Sequence, residues 1–428
     1  MYKNKLFFLV LSLFFLNQLS NSQNNTNSPY TRFGYGDISD ANNGEQRAMG
    51  GVAIGSRSSS SINTVNPASY SCVDSLTFMF DVGSSALLSR FSDVSGKTSK
   101  FNANLEYITM QFPLSKKIGF SAGVLPYSFA GYDFYKKDTM LMDTNIKSVY
   151  DSIARTQSFI GSGGFTQAYA GLSVNLFKHL SLGVNAYYMF GSVYNYRSVS
   201  YASTITNTIS SSDYTSSTQR NSIATNNFRF RFGAQYYNTF AQKHDVTLGV
   251  VYEHKTKLAD SYTQINTGVL SDTTAISSNF ELPTMIGVGV NYCYNKRLSI
   301  GVDYTLQQWK DAQFYGKTDS LSNRSKIAVG LEYQPNPMGR HFSDRVRYRA
   351  GFNVSDSYYK VEGATPPKNY SLTCGLGLPL YNKASNSISM LNLSFEYGKI
   401  GSSVLREEYY KFTLSMAFNE HWFFKRKL

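Results

Sequence analysis

Cysteine is scarce: Cys72, Cys293 and Cys374 are the only three among 428 residues, an odd number placed far apart. That spacing gives neither a disulfide framework nor a metal-ligand set. Isolated thiols, buried or facing an apolar medium, are expected, and a Cys293–Cys374 pair has no support in the sequence. Long apolar runs are missing after Gln23, which excludes a membrane-spanning helix of about 20 apolar residues. Acidic residues are few, 28 against 41 Lys and Arg, for a formal charge of +13. The basic residues are scattered along an exported chain, so no nucleic-acid partner is expected, and anionic lipid headgroups are their natural counterpart. Histidines number five, His179, His244, His254, His341 and His421. Three of them, His179, His244 and His341, fall in or beside expected turns, where a histidine is usually a solvated polar residue rather than a base. Phosphate loops and dinucleotide fingerprints are lacking as well. The chain is therefore expected not to be an enzyme, with no catalytic residue, cofactor or metal.

The chain does have an export signal. Lys3 and Lys5 precede the apolar stretch Leu6–Leu16, and Ser20-Asn21-Ser22 forms a small-x-small cleavage site. Residues 1–22 are expected to be a cleaved signal peptide. Aromatics are abundant: 30 Phe and 33 Tyr bring the aromatic fraction to 15% with Trp included. Interfacial girdles of a membrane barrel would use them.

Strict alternation is the dominant pattern. In "IGVGVNYCYNKRLSIGVDYTLQQW", Ile286 to Trp309, large apolar side chains fall on every second residue, broken only at Asn295-Lys296-Arg297. Similar strands follow short polar turns near Lys116, Lys178, Lys243, Asp344 and Asn382. Such a period means strands with one apolar and one polar face. Longer polar stretches separate the hairpins: 93–100, 133–163, 194–221, 257–278, 316–324, 360–369 and 401–408. Six short turns and seven long connections join fourteen strands. Short turns on one side and long loops on the other describe an outer-membrane barrel. The faces agree. Phe228, Phe230 and Phe232 alternate with Arg229, Arg231 and Gly233; Tyr348, Ala350 and Phe352 alternate with Arg347, Arg349 and Gly351. A fourteen-stranded lumen is too wide for apolar side chains alone to fill, so the apolar face belongs to lipid.

The expected fold is all-β: a fourteen-stranded antiparallel transmembrane barrel formed by residues 75–428, with residues 23–74 as an N-terminal plug. The segment before the barrel is rich in Gly, Ser and Asn, yet Tyr30, Phe33, Tyr35, Met49, Val52, Ile54, Ile62 and Val65 argue against disorder. In the long loop before Gly161, Ile146, Val149, Tyr150 and Ile153 share one helical face, with Asp143 as N-cap, and predict a loop helix. Trp422, Phe423 and Phe424 followed by Lys425, Arg426 and Lys427 read as an interfacial anchor, or as a docking point for a membrane or periplasmic partner.

Three stretches carry a resemblance. "GGVAIGSRSSSSINTVNPAS" ends in Asn66-Pro67-Ala68. "GSGGFTQAYAGLSVN" runs from Gly161 to Asn175. "VYEHKTKL", "NFELPTMIGVGV" and "LSIGVDYTLQQWKDAQF" follow in order. In motif order and spacing the mature chain resembles the FadL-type transporters of long-chain fatty acids and other hydrophobic compounds. The resemblance implies a hatch carrying Asn66, Pro67 and Ala68, and a lateral opening where the third strand kinks inward. Here that strand is "IGFSAGVLPYSFAGY", and Gly123, Pro126 and Gly131 mark the expected kink, since proline cannot donate to a ladder. Ligand-contacting residues do not carry over, so the ligand site is unassigned.

Two functions follow as expectations. One is passive uptake of a hydrophobic small molecule across the outer membrane of a Gram-negative bacterium, with sideways exit through the wall. Its partners would be outer-membrane lipids and a fatty-acid-like ligand. The other is a non-transporting structural subunit of an outer-membrane assembly or secretion complex, with outer-membrane or periplasmic protein partners. The lumen separates them. A continuous apolar pocket leading to Pro126 favours uptake. A packed lumen, with Arg229, Arg231, Arg347 and Arg349 paired to carboxylates such as Asp303, Glu332 and Glu396, favours the subunit.

Overall fold

The structure is a computed structural model and describes residues 25–421, apart from 95, 144–149, 204–215, 259, 269–271, 276–278, 362–364, 383–386 and 402–404. The signal peptide and the Trp422–Lys427 tail lie outside the described residues. Fourteen wall strands follow one another in chain order. They are β1 (Thr77–Ser92), β2 (Lys97–Pro113), β3 in two pieces (Ile118–Phe129 and Tyr132–Asp143), β4 (Tyr150–Phe177), β5 (Leu180–Ser203), β6 (Ser217–Phe240) and β7 (His244–Glu253). Then come β8 (Met285–Tyr294), β9 (Leu298–Gln307), β10 (Arg324–Tyr333), β11 (Arg347–Asp356), β12 (Lys368–Asn382), β13 (Ser387–Gly401) and β14 (Arg406–His421). Each pairs antiparallel with the next, and β14 returns to β1, from Thr77↔His421 to Ser92↔Arg406, closing the cylinder. Closure pairs the first strand with the last, as a sheet in hydrocarbon requires.

The side chains sort by register as the alternation requires. Ile286, Val288 and Val290 of β8 stand out from the wall, as do Ile300, Val302 and Tyr304 of β9. Phe228, Phe230 and Phe232 are 59%, 50% and 50% exposed, whereas the intervening Arg229 and Arg231 are each 7% exposed. Polar-in and apolar-out is the reverse of a soluble barrel, so the outside is a lipid face of the outer-membrane kind. The β8–β9 turn is tight because Asn295 and Lys296 take positive φ, 52° and 54°, which matches the right-handed twist of the strands.

Two expectations change. Asp143, Tyr150 and Ile153, expected on a loop helix, are strand: Asp143 ends the second piece of β3 and Tyr150 begins β4, paired Asp143↔Tyr150, while Ile146 and Val149 lie outside the described residues. Several long polar stretches expected as loops are partly strand. Residues 133–163 are mostly β3 and β4, and Lys97 already belongs to β2. Strands β4, β5 and β6 run on past the lipid zone, up to 28 residues in β4. There, water on both faces removes the apolar stripe by which a strand is recognised. Cys72, Cys293 and Cys374 are all free thiols.

A charge on the outer face tests this assignment. Val329→Arg on β10 is expected to cost about 2–4 kcal/mol if Val329 meets the bilayer midplane. The loss would be read as reduced heat-modifiable, folded barrel in lipid vesicles. The same substitution at a water-facing site would leave the folded fraction unchanged.

Candidate functional site: an interior plug and a break in the wall

The plug is built from local hydrogen-bond signals. Asn43 caps α1 (Gly44–Ala48): its side chain accepts from the Gln46 N–H at 2.8 Å, and Gln46 Oε1 accepts from the Asn43 N–H at 3.0 Å. This reciprocal box satisfies two orphan donors at the helix start. Asn66 caps the 3₁₀ turn Pro67–Cys72 by accepting from the Ala68 N–H at 3.1 Å. Its Nδ2 also donates to the Ile54 carbonyl at 2.9 Å and to the Ala234 carbonyl of β6 at 3.3 Å. Ser173 of β4 donates to the Ala68 carbonyl at 2.9 Å. Thus Asn66, Pro67 and Ala68 fold one plug turn and fasten it to the inner wall.

The wall admits the plug through glycine. At Gly249 of β7 an added Cβ would lie 2.0 Å from the Ile54 carbonyl oxygen; at Gly351 of β11 it would lie 2.2 Å from the Gly50 nitrogen. Backbone meets backbone there, so no side chain can bend away. Gly249 pairs with Gly289, and Gly351 with Gly330, so bare positions line up across neighbouring strands.

Charge fixes the plug further. Glu45 of α1 meets Arg349 at 3.2 Å and Arg347 at 3.7 Å; Arg349 also binds Glu332 at 2.6 Å and Asn392 at 2.8 Å. Arg47 binds Glu106 at 2.8 Å, and Lys411 binds the same carboxylate at 2.6 Å. Asp40 takes Lys326 at 2.5 Å and Arg324 at 3.3 Å. Burial would raise the Asp40 carboxyl, but Lys326 and Arg324 outweigh it and hold it well below the usual carboxylate range. Asp303 of β9 accepts the Ala53 and Ile54 amides at 2.6 and 2.7 Å. Arg57 lies 4.1 Å over the Tyr237 ring and donates to Ala68, Ser181, Gln235 and Asn175. Arg229 and Arg231 both pair with Glu253 of neighbouring β7.

The expected inward arginines are therefore paired, with partners partly different from those expected. Glu332 serves Arg349, but Glu253 and Glu45 take the others. Asp303 binds amides, and Glu396 accepts from Tyr409 at 3.0 Å. Glu45, Arg47, Asp40 and Arg57 sit in plug residues with no periodicity to mark them. Glu106 left a sign: outward residues of β2 run Phe101, Ala103, Leu105, then Ile108, Met110. That one-residue slip is the bulge at which Gly83↔Tyr107 is followed by Ser84↔Leu105.

Near the long loops, aromatic rings close the lumen. Tyr35 of the plug stacks edge-on to Phe314 at 5.0 Å, and Trp309 lies 4.6 Å from Tyr358. Phe280, Tyr35 and Trp309 are fully buried. Two cavities among the described residues measure about 90 and 170 Å³. The smaller is bordered by Arg229, Arg231, Glu253 and Asp303, the larger by Asp37, Glu407, Arg47 and Lys411, and both by Asp40 and Lys326. Both linings mix these charged groups with apolar side chains, Ile54, Val251 and Met285 in the smaller and Leu87, Tyr359 and Ile400 in the larger.

The wall is broken between β2 and β3. Their ladder runs only from Pro113↔Gly119 to Ile108↔Val124, with Gly123 one step before its end. Beyond it, β3 keeps its pairing with β4 through Pro126↔Thr166, shifts register before Ser128, and stops at Phe129. Gly131 then binds Thr31 of the plug through both its N–H and its carbonyl, at 3.1 and 3.0 Å. Phe129 and Ser128 pair with the short plug strand Asp37–Ile38. Asn27 donates to Asn102 of β2 at 3.0 Å, and Asn104 donates to the Asn25 carbonyl at 2.7 Å. Plug residues 25–38 thus line the inside of the break.

Comparison with known proteins agrees with this geometry. A family model described as BamG matches residues 1–428. A FadL homologue of Pseudomonas aeruginosa superposes with a TM-score of 0.59 at 13% identity, covering 90% of this chain and all of that one. The Pseudomonas putida toluene transporter TodX gives 0.55 at 15% identity over 91% and 99%. The Ralstonia pickettii toluene transporter TbuX gives 0.53 at 13% over 89% and 98%. The shared fold is that of outer-membrane channels for hydrophobic compounds. Curated protein sequences give no match.

The ionic tether sets a stability test. Arg349→Ala leaves Glu332 without its ion-pair partner and Glu45 with only the longer contact to Arg347, and is expected to cost about 3–5 kcal/mol in urea unfolding of the vesicle-inserted barrel. Removing Glu45 and Glu332 as well should recover part of the loss. At the close approach, Gly249→Val drives a side chain into the Ile54 carbonyl. It should make the plug cleavable by added protease while the wall strands stay resistant.

Proposed function

The chain belongs to the BamG family, and we propose that it is a non-transporting structural subunit of an outer-membrane assembly or protein-secretion complex. One observation carries the reading: the lumen is filled by a plug tied to strands around the wall. Sites that take lipid-like ligands are largely apolar clefts of about 300–1,000 Å³. The two cavities of about 90 and 170 Å³ are smaller, and charged groups form part of their linings. Burying an alkyl chain gains about 0.8 kcal/mol per CH₂ only where the lining is apolar. The barrel then acts through its outer wall and rims, without catalysis, and its partners are outer-membrane or periplasmic proteins.

A second reading is passive uptake of a fatty-acid-like or other hydrophobic compound, with lateral exit. The break between β2 and β3 at Pro126 favours it, as does the fold shared with toluene transporters. It requires residues 25–38 to leave the break and a dry route to open through the charged interior.

Gentle purification from native membranes, with mass spectrometry of what stays bound, separates the two. The subunit reading expects protein partners in fixed stoichiometry and no acyl ligand. Bound fatty acid on an otherwise solitary barrel would overturn it.

A further inference from the structure

On the side of the short turns, the periplasmic side, one connection is long. Strands β2–β3, β4–β5, β6–β7 and β8–β9 are joined by two to four residues, but β10 and β11 are joined by thirteen, 334–346. Periplasmic turns of such barrels are short, so the extra length is not needed to close the wall. The loop holds a defined shape. The Gln334 side chain donates to the Arg345 carbonyl at 3.0 Å, and the Asn336 N–H donates to the Asp344 carbonyl at 2.8 Å, which ties the two arms together. At the tip the Gly339 N–H donates to the Asn336 carbonyl at 3.0 Å, and the Met338 N–H donates to Asn336 Oδ1 at 3.3 Å. A Cβ at Gly339 would lie 2.4 Å from Cβ of Asp344, so glycine lets the tip meet the returning helix α2 (Phe342–Arg345). The Gln334 N–H donates to the Arg297 carbonyl at 2.7 Å and fastens the loop to the β8–β9 turn.

These bonds leave apolar side chains in the open. Met338 is 94% exposed and Phe342 50%. Tyr333 and Tyr348, outward at the ends of β10 and β11, belong to the aromatic band at the membrane boundary. The loop starts after one and ends before the other, so Met338 and Phe342 stand on the water side of that band. Beside them Lys296, Arg297 and Arg340 are exposed, and none of the three pairs with a carboxylate among the described residues. Asp344 is the single acidic residue of the loop. Met, Phe and Arg are side chains over-represented where proteins meet.

We infer that loop 334–346 docks a periplasmic protein with an acidic surface. Met338 and Phe342 fill an apolar cleft of that partner, and Lys296, Arg297 and Arg340 meet carboxylates at its rim. A loop already held in one shape gives up little conformational freedom on binding. This inference rests on the subunit reading and deepens it, naming the surface and the chemistry of the partner.

The test uses the full-length protein in its native outer membrane, with p-benzoylphenylalanine in place of Met338 or Phe342, and in place of exposed Ser115 of the β2–β3 turn as control. Irradiation should give one discrete protein adduct from positions 338 and 342 and none from 115. The linked peptide should carry apolar residues flanked by Asp or Glu. Arg297→Glu with Arg340→Glu should cut the adduct by about fivefold or more while the amount of folded barrel stays constant, and Arg297→Lys with Arg340→Lys should keep most of it. Adducts to lipid only, to a second copy of this chain, to a peptide without acidic residues, equal to those from 115, or insensitive to the charge reversal would overturn the inference. Proteins that co-purify but do not link at 338 or 342 would remove the docking loop and keep the subunit reading. A barrel that purifies alone would remove both.

Discussion

Backbone amides cannot remain unpaired in hydrocarbon, and everything else in this molecule follows from that constraint. It forces the sheet to close, and closure fixes an inside and an outside. Period-two alternation then assigns every wall residue to one of them. Ile286, Val288 and Val290 go to lipid, and Gly287, Gly289 and Asn291 go to the lumen, because the register of β7, β8 and β9 leaves no other choice. A slip of one residue would turn arginines to lipid, so the register is strongly specified. Where β2 slips at Glu106, the displaced carboxylate is caught by Arg47 and Lys411.

The inside poses the opposite problem. A lumen enclosed by fourteen strands must be filled, and the plug fills it by two devices. Glycines at inward wall positions let its backbone lie directly against the wall. Buried ion pairs then join its short helix and turns to several strands. Such pairs add little stability when compared with an apolar core, but they fix one arrangement, because each partner left alone would be costly. Asp303 forms no ion pair among the described residues and is held by two plug amides instead.

Legibility in the sequence followed these physics. Strands that cross lipid, such as Met285–Tyr294 and Leu298–Gln307, were readable because one face is obligatorily apolar. Past the lipid zone the signal vanished: β4 from Tyr150 onward looked like an amphipathic helix, since two wet faces impose no period. In β3 the ladder with β4 shifts register just after Pro126, and Gly131 bonds Thr31 of the plug. The plug tethers were hidden. Glu45, Arg47 and Asp40 are single residues in the plug, and their meaning depends on wall residues 59 to about 300 positions away. Glu253, partner of both Arg229 and Arg231, lies on the adjacent strand, which alternation located but did not register.

The central claim is that the plug is part of the wall's folded unit rather than a movable hatch. Residue-resolved hydrogen exchange of the barrel in a lipid bilayer tests it most directly. If the claim holds, the Ala53 and Ile54 amides, held by Asp303, exchange as slowly as those of β8 and β9. Rapid exchange at both positions, with the wall still protected, would contradict it.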